Sequence, residues 1–189
     1  MSTRKRDIIE FYNCYFVTTT FNSWLYLLMD ERFYKIIIES LKFCIEKYKC
    51  SLIAYVLMPN HIYLILFYND KPEVSGFMRD FKKYTSVKIR QLLQCEEQNG
   101  IVEKLKYEKA GQKYKVWQDR FDAVIIRHKN VLITKMKYID NNPVKNGLVE
   151  KAEDWNYSSA GFYITEKEMH LPVTRLEDYL IIMCQGHKS

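Results

Sequence analysis

The sequence predicts an α+β fold, a ferredoxin-like antiparallel sheet with packed helices. Segments rich in β-branched and aromatic residues alternate with segments of helical apolar periodicity, in the order β-α-β-β-α-β-α. Only a Pro-Asn pair separates the second and third strands, which makes them a hairpin. The length of 189 residues, without an internal repeat or linker, favours one domain over residues 1–189.

The first half of the chain supplies three strands and one helix. Residues Tyr12 to Phe21 are rich in aromatic and β-branched side chains, which predicts a strand. Asp30 can cap the helix that follows, and this helix should end near Lys49. The run from Ser51 to Met58 is almost continuously apolar and is typical of a central strand buried on both faces. His61 to Tyr68 forms the other arm of the hairpin.

In the second half, helical periodicity returns at Val74, in a helix that carries several lysines and arginines. The polar stretch from Gln94 to Lys115 is either a helix extension with a loop or a mobile insertion, and the sequence leaves both open. Phe121 to Arg127 predicts a further strand. Asn130 can cap a helix that runs to Asp140 and stops at Asn141-Asn142-Pro143, because a residue before proline avoids the α region. A short helix is expected from Arg175 to Cys184.

Composition sets limits on the class of protein. Lys and Arg exceed Asp and Glu by 29 to 23, a formal charge of +6 that is compatible with a polyanionic partner without requiring one. The five cysteines are odd in number and form no CxxC pair, which disfavours a disulfide framework or a zinc site and indicates reduced thiols. We find no signal peptide and no apolar run long enough to span a bilayer, so we expect a cytoplasmic protein.

Two strand residues could contribute to a polar site. Because side chains alternate across a strand, His61 and Tyr63 share one face of the sheet at its edge. Such a pair can meet a metal ion or a phosphate. A lone histidine on a strand is more often structural, so the pattern alone does not decide between these readings.

The last predicted helix brings a tyrosine and an amide together. Tyr138 lies roughly 140° from the centre of the apolar stripe, and Asn142 follows one turn later, only about 40° around the axis. Both should project off the core face, although an exposed tyrosine before a helix-stopping Asn-Pro explains the same pattern. Tyr84, in a basic run of the earlier helix, is a rival functional tyrosine. Nucleotide-binding glycine loops and a GxSxG elbow are absent from the sequence.

Four segments, in order, resemble blocks of the tyrosine HUH transposases. Residues 55–66, YVLMPNHIYLIL, are similar to the MPNHxHxL hairpin, and residues 116–121, VWQDRF, to the WQxRF segment. Residues 138–149, YIDNNPVKNGLV, are similar to YIxxNPVxxGLV, and residues 155–160, WNYSSA, to the WxxSSA close. The resemblance covers a core of residues 10–163, which leaves 164–189 as a C-terminal extension. It is strongest to the REP-associated tyrosine transposases of the insertion-sequence-200 type.

This resemblance implies a transposase that binds single-stranded DNA folded as a hairpin, with no membrane partner, and that associates with the nucleoid. It implies that Tyr138 is the nucleophile and forms a 5′-phosphotyrosine link. It also implies Mg²⁺ or Mn²⁺, held by His61, Asn142 and the second position of the HUH pair. Relatives act as monomers or as dimers, so a homodimer stays open. Candidate DNA-binding residues are Arg79, Lys82, Lys83, Trp117 and Arg120.

The sequence departs from the family pattern at Tyr63, which stands where the second HUH histidine is expected. A protonated phenol is a poor ligand for these metals, whereas a neutral imidazole is a good one. The sequence leaves three alternatives: another residue completes the metal site, Tyr63 binds the metal as phenolate, or cleavage is impaired. The alternative function is therefore a DNA-binding relative that no longer cleaves well, and a generic interaction protein outside nucleic acid is a further one.

Overall fold

The structure, a computed structural model, describes residues 11–109 and 112–178. Within them, a main antiparallel sheet has the strand order β2-β3-β1-β6, and β4 and β5 form a separate hairpin. The helices and strands in chain order are β1 Cys14–Thr20, α1 Glu31–Lys47, β2 Cys50–Leu57, β3 His61–Tyr68, α2 Val74–Cys95, α3 Asn99–Lys104, β4 Lys106–Lys109, β5 Gln112–Tyr114, β6 Asp122–Ile125, α4 Lys129–Lys145 and α5 Ala160–Thr165. The predicted α+β class and the order of the core elements are confirmed.

Helices cover both faces of the main sheet. Because side chains alternate along β3, Ile62 and Leu64 lie in an apolar cluster with residues of α1 and α2. The opposite side chains, Tyr63 and Ile65, belong to a smaller cluster with residues of α4. His61 has the same parity as Tyr63 and therefore lies on the α4 face.

The first helix forms where its cap was predicted. Asp30 accepts a hydrogen bond from the backbone N–H of Arg32 at 2.9 Å, which satisfies one donor of the first turn. The predicted apolar stripe of α1 is buried against the sheet, and the helix ends at Lys47, two residues before the predicted Lys49. Lys49 then adopts a positive φ of 47°, which turns the chain into β2.

The prediction that residues 51–58 form a central strand is wrong. β2 is buried on both faces but lies at an end of the sheet, beside β3. Later segments cover its outer edge: the N–H of Leu57 donates to the Tyr157 carbonyl at 2.8 Å, and the N–H of Thr174 donates to the Leu52 carbonyl at 2.8 Å. A covered edge satisfies the same backbone groups as a neighbouring strand, so an apolar run does not distinguish the two.

Helix α4 is longer than predicted at both ends. It begins at Lys129, so Asn130 is not its cap, and it continues through Pro143 to Lys145. Pro143 lies in the last turn of α4. Its missing N–H therefore removes a hydrogen bond only near the end of the helix, where few residues follow. The stop comes at Gly147, whose φ of +68° is the left-handed conformation that glycine adopts after many helices.

Two segments that the sequence left uncertain are now defined. The described residues 94–109 and 112–115 hold the end of α2, the short helix α3 and the paired strands β4 and β5, so they form neither a simple helix extension with a loop nor an unstructured insertion. Helix α5 was not predicted. Of the helix expected from Arg175 to Cys184, residues 176–178 are helical, and residues 179–184 lie outside the described residues. In the described part of the chain, no helix is both long and apolar enough to cross a membrane.

Candidate functional site

His61 is the first residue of β3 and stands at the end of the sheet. The Pro59-Asn60 turn precedes it, and in the neighbouring strand it pairs with Thr20. The side chain is only 7% exposed. Its ring nitrogens both contact side-chain amide oxygens: Nδ1 lies 2.6 Å from Asn60 Oδ1, and Nε2 lies 3.3 Å from Asn142 Oδ1. The imidazole is therefore held from two sides, by the turn and by α4.

Asn142 lies in the last turn of α4 and is buried, which corrects the expectation that it projects off the core face. The helix packs along the sheet through Leu132 and Ile139, and this packing brings the next turn over His61. Asn146 holds the amide in place, because its Nδ2 donates to Asn142 Oδ1 at 3.2 Å and to the Asn142 carbonyl at 2.9 Å.

The donor set of His61 and Asn142 suits a cation. Burial lowers the pKa of His61, with the contact to Asn142 opposing that shift, so the ring is neutral at pH 7 and carries one proton. The shorter contact, to Asn60, accommodates the proton on Nδ1. The Nε2 lone pair then faces the Asn142 oxygen, and a cation would satisfy both acceptors. Two atoms 3.3 Å apart can share one ion with bonds of about 2.1 Å.

The hydroxyl oxygens of Tyr63 and Tyr138 lie 3.0 Å apart. The Tyr63 ring stacks on Phe16 with centroids 5.5 Å apart, and Tyr138 meets the Tyr63 ring edge-on at 5.2 Å. Tyr138 remains 39% exposed. The hydroxyl of Tyr138 is thus fixed by its neighbour while its ring stays open to solvent.

Tyr63 is poorly suited to bind a metal ion as phenolate. Burial, first, and the hydrogen bond to Tyr138, second, raise the pKa of Tyr63 well above its usual range. Its hydroxyl is already engaged by Tyr138. In the described residues, no group of three or more His, Cys, Asp or Glu side chains could hold a metal ion. The two ligands that the structure brings together are one imidazole and one amide, a neutral pair that leaves the other positions to water or substrate oxygens.

Lysines of α4 surround this aromatic cluster. Lys145 Nζ lies 5.8 Å from the centroid of the Tyr138 ring, and Lys135 Nζ lies 4.4 Å from that of Phe16. Both contacts fall within the range of cation–π attraction. The two ammonium groups give the surface next to the Tyr138 hydroxyl a positive charge, which favours a phosphate there.

A basic groove lies on the other layer, between α2 and the segment that precedes β6. Its volume is about 530 Å³, and its charged lining comprises Lys82, Lys83, Arg90, Lys113 and Asp119. Lys82 Nζ donates to the carbonyl oxygens of Gln118 at 2.8 Å and Arg120 at 3.1 Å. Burial lowers the pKa of Lys82 to about 8. Gln118 connects the groove to the end of the sheet that carries His61, because its N–H donates to the Thr20 carbonyl.

The remaining candidate DNA-binding residues have different surroundings. Trp117 is 4% exposed, stacks on Phe21 with centroids 4.0 Å apart, and donates from Nε1 to Thr85 Oγ1 at 2.9 Å. It packs in the core and also lines the basic groove, so its DNA-binding role stays a prediction. Arg79 pairs with Asp80 and does not line the basic groove. Arg120 is exposed and offers its carbonyl to Lys82.

Tyr84 is exposed on α2, in the layer opposite to α4. Lys88 Nζ lies 5.8 Å from the centroid of its ring. The structure therefore separates the rival tyrosine from the His61–Asn142 pair and brings Tyr138 to it. Asn60 and Asn146, which orient the pair, are not among the residues predicted from the sequence. Their positions, next to His61 and one turn after Asn142, are a signal that could have identified them.

Comparisons with known proteins bear on the family and the fold. A sequence model of the family described as "Transposase IS200 like" matches residues 12–142. A REP-associated tyrosine transposase of Haemophilus influenzae is 32% identical over 114 residues, which is 60% of this chain and 61% of that protein. The chain thus matches less than two thirds of this relative's length. The solved structure of a REP-associated tyrosine transposase bound to a REP hairpin superposes with a TM-score of 0.62 and 22% identity, over 87% of this chain and 86% of that one. This likeness shows the same fold.

Proposed function

Since this chain belongs to the IS200-like transposase family, we propose that it binds a single-stranded DNA hairpin and cleaves and rejoins it through Tyr138. The observation that carries the proposal is the position of Tyr138, a partly exposed residue of α4 whose hydroxyl is linked through Tyr63 to the strand that begins with His61. The proposed nucleophile contacts Tyr63, the ligand pair lies at the start of the same strand, and Lys145 lies beside the Tyr138 ring. Phosphodiester chemistry needs these components.

The proposed substrate is a hairpin in single-stranded DNA. The relative with the same fold was solved with a REP hairpin, and this chain has a formal charge of +6. The basic groove is a suitable place for the DNA backbone, because Lys83 and Lys113 are exposed there and no ion pair engages them within the described residues. Acting on chromosomal DNA would associate the protein with the nucleoid.

In the proposed reaction, the oxygen of Tyr138 attacks the scissile phosphorus, and the bond from phosphorus to the 3′ oxygen breaks. The products are a 5′-phosphotyrosine and a strand that ends in a free 3′ hydroxyl. The phenolic proton leaves Tyr138, and the departing 3′ oxygen takes up a proton. Reversal by a 3′ hydroxyl joins strands without an external energy source, because the phosphotyrosine bond conserves the phosphodiester.

We propose that His61 and Asn142 hold a Mg²⁺ or Mn²⁺ ion. When bound, this ion supplies polarisation of the scissile phosphate and offsets its charge. Asn60 and Asn146 keep the two ligands oriented, as outer partners of metal ligands generally do. The neutral ligand pair brings no negative charge. Binding of the metal ion therefore depends more on the substrate phosphate than it would at a site with carboxylate ligands.

Tyr63 has a different proposed role from the histidine it replaces. Its hydroxyl fixes that of Tyr138 at 3.0 Å, and its ring is held by stacking on Phe16. When Tyr63 donates this hydrogen bond, it stabilises negative charge on the Tyr138 oxygen. We therefore assign Tyr63 as a positioning residue for the nucleophile rather than as a metal ligand.

The second candidate is a hairpin-binding protein with impaired cleavage. The observation that favours it is the same residue, because a site with two neutral ligands should bind a divalent cation weakly. The fold, the basic groove and the lysines of α4 would serve binding in either case.

We propose one domain for the chain. Leu171 and Leu176, from the segment expected to be a C-terminal extension, are buried in the two clusters that flank the main sheet. The described part of this extension therefore packs on the core.

The experiment that tests the proposal is adduct formation with labelled hairpins from the flanks of the gene. The protein is incubated with Mn²⁺, Mg²⁺ or a chelator and run on a denaturing gel. We expect a metal-dependent covalent band that Tyr138→Phe abolishes, with hairpin binding on a native gel retained. Tyr84→Phe is the matched control and should keep the band.

Cleavage by Tyr138→Phe would contradict the assignment of the nucleophile. Binding without any band in the wild-type protein would favour the impaired relative. The absence of hairpin binding would contradict both candidates.

A further inference from the structure

Trp24 stands apart from the other tryptophans of the chain. It is 58% exposed, whereas Trp117 is buried and Trp155 is half-buried. It lies in the connection between β1 and α1, which also exposes Tyr26 and Met29. A large apolar ring that contributes little to the core is a candidate for binding something outside the protein.

The backbone around Trp24 is held in an unfavourable conformation. Ser23 and Trp24 have φ values of 53° and 56°, in the left-handed region that costs energy for residues with a side chain. Both ends of the connection are fixed. The Phe21 N–H donates to the Asn60 carbonyl at 3.0 Å, and the Leu27 N–H donates to the Pro59 carbonyl at 3.0 Å. The turn that precedes His61 therefore holds the backbone segment that carries Trp24.

Trp24 is also adjacent to the candidate site. Its ring centroid lies 6.4 Å from that of His61, with an interplanar angle of 69°. The His61 ring contacts that of Tyr63 at 4.8 Å, and Tyr63 contacts Tyr138. Trp24 is thus the first of a row of rings that ends at the proposed nucleophile. The separation from His61 is about two stacking steps of about 3.4 Å each.

We propose that Trp24 is a stacking platform for an unpaired base of the DNA, one or two nucleotides from the scissile phosphate. This inference rests on the proposed function and names a subsite of it. Bases stack on aromatic side chains irrespective of sequence, since every base has a π-face. A fixed ring loses little conformational entropy when a base covers it, so the cost of the strained backbone is met in the free protein rather than on binding.

The platform recognises single-stranded DNA, because a paired base within a stem has both faces covered by its neighbours. A hairpin with an unpaired extension should therefore use Trp24, and a blunt hairpin with the same stem should not. The subsite would then fix which nucleotide next to the stem lies at the Tyr138 hydroxyl. It would contribute to the choice of the cleavage position.

The test compares the affinities of the full-length wild-type protein, Trp24→Ala and Trp24→Phe for both hairpins. For the extended hairpin, we expect Trp24→Ala to bind about 5- to 150-fold more weakly, the range for loss of one stacked base. Trp24→Phe keeps a ring and should recover most of the affinity. All three proteins should bind the blunt hairpin equally. Phe43→Ala, which removes a similarly exposed ring from α1, should leave both affinities unchanged.

Intrinsic fluorescence gives a second readout that does not depend on affinity. A stacked base quenches an exposed indole, and Trp24 is the most exposed of the three tryptophans. Saturation with the extended hairpin should quench the wild-type protein more than Trp24→Phe, and an abasic site at the stacked position should remove the difference.

The outcomes separate the platform from the function on which it rests. If the wild-type protein binds the extended hairpin but Trp24→Ala binds it equally well, with equal quenching in Trp24→Phe, the platform is wrong and the proposed function stands. If Trp24→Ala weakens binding of both hairpins alike, the residue has no role specific to unpaired bases. If the wild-type protein binds neither hairpin, the proposed function and the platform both fail.

Discussion

Tyr63 and Tyr138 share a hydrogen bond of 3.0 Å between their hydroxyl oxygens, across the gap between β3 and α4. The residue that replaces the expected second histidine thus directs its polar atom at the proposed nucleophile. A substitution that weakens metal binding could in this way assist the tyrosine. Two variants of Tyr63 separate these effects.

Replacement of Tyr63 by Phe removes the hydroxyl and keeps the ring on Phe16. We expect the rate of adduct formation at saturating Mn²⁺ to fall about 2- to 10-fold, the range for one hydrogen bond. Single-turnover assays on denaturing gels measure this rate. An unchanged rate would show that the contact with Tyr138 does not contribute.

The reciprocal variant, Tyr63→His, supplies an imidazole at the second position of the pair. If the impaired relative is the correct description, the Mn²⁺ concentration that gives half-maximal adduct should decrease, because an added neutral imidazole is a good ligand. A decrease in adduct at every Mn²⁺ concentration would instead favour the positioning role of Tyr63.

Asn142→Ala tests the proposed ligand pair without DNA cleavage as the readout. We expect the affinity for Mn²⁺, measured by electron paramagnetic resonance in the presence of hairpin, to fall at least about tenfold. The matched control is Asn141→Ala, since Asn141 is exposed and its side chain donates only to the Lys137 carbonyl of the preceding turn. Equal affinities in the two variants would remove Asn142 from the ligand set.

Trp117 should contribute to stability rather than to DNA contact. Trp117→Ala removes a buried ring and its hydrogen bond to Thr85, so we expect the free energy of unfolding in urea to decrease by about 3–5 kcal/mol. Trp117→Phe should bind the hairpin with wild-type affinity at a temperature where it is folded. A selective loss of affinity in this variant would restore the residue to the DNA interface.

The basic groove makes a prediction about salt dependence. For a single-stranded segment, removing one lysine that binds a phosphate should reduce the slope of log affinity against log salt concentration by about 0.7. We expect this reduction for Lys83→Gln and for Lys113→Gln. Lys42→Gln, on the exposed side of α1, is the control and should leave the slope unchanged. Equal slopes in all three variants would contradict a groove for the DNA backbone.

The buried amine of Lys82 should give a measurable dependence of stability on pH. Its folded pKa of about 8 lies below the unfolded value near 10.5, so the unfolded chain binds more protons between these pH values. The free energy of unfolding of the wild-type protein should therefore rise with pH over this range, relative to that of Lys82→Met. Urea unfolding of both proteins at pH 7, 9 and 10.5 measures this dependence. The same change of unfolding free energy with pH in both proteins would contradict the lowered pKa of Lys82.

The fold was predictable where local patterns and tertiary packing agree. The alternation of β3 and the periodicity of α1 report the faces that these elements bury, and Asp30 marks a cap that the structure contains. Whether β2 lies at the edge or at the centre of the sheet was not predictable, because the segments that cover its edge lie about a hundred residues later. The end of α4 could not be predicted from Pro143 alone, because a proline is tolerated in the last turn and the helix stops at the positive φ of Gly147.

The candidate site divides in the same way. Residues in a short linear pattern, such as His61 with Tyr63 and Tyr138 with Asn142, could be identified from the sequence, and the structure brings them together. The contact between Tyr63 and Tyr138 could not be foreseen, because it depends on how α4 crosses the sheet. Trp24 has no partner in a linear motif, and only its backbone conformation and its contact with His61 single it out.

The covered edge of β2 has a consequence for synthesis. The backbone of Tyr55 is paired by Ser159, 104 residues later in the chain. At a translation rate of about 5–20 residues per second, this interval corresponds to roughly 5–20 s. During that time, the emerging β2 has no covering segment of its own and offers open hydrogen-bonding groups to other nascent chains. Completion of the sheet edge is thus a late event on the ribosome, and slow translation of residues 60–159 would prolong exposure of this apolar strand to chaperones and to aggregation.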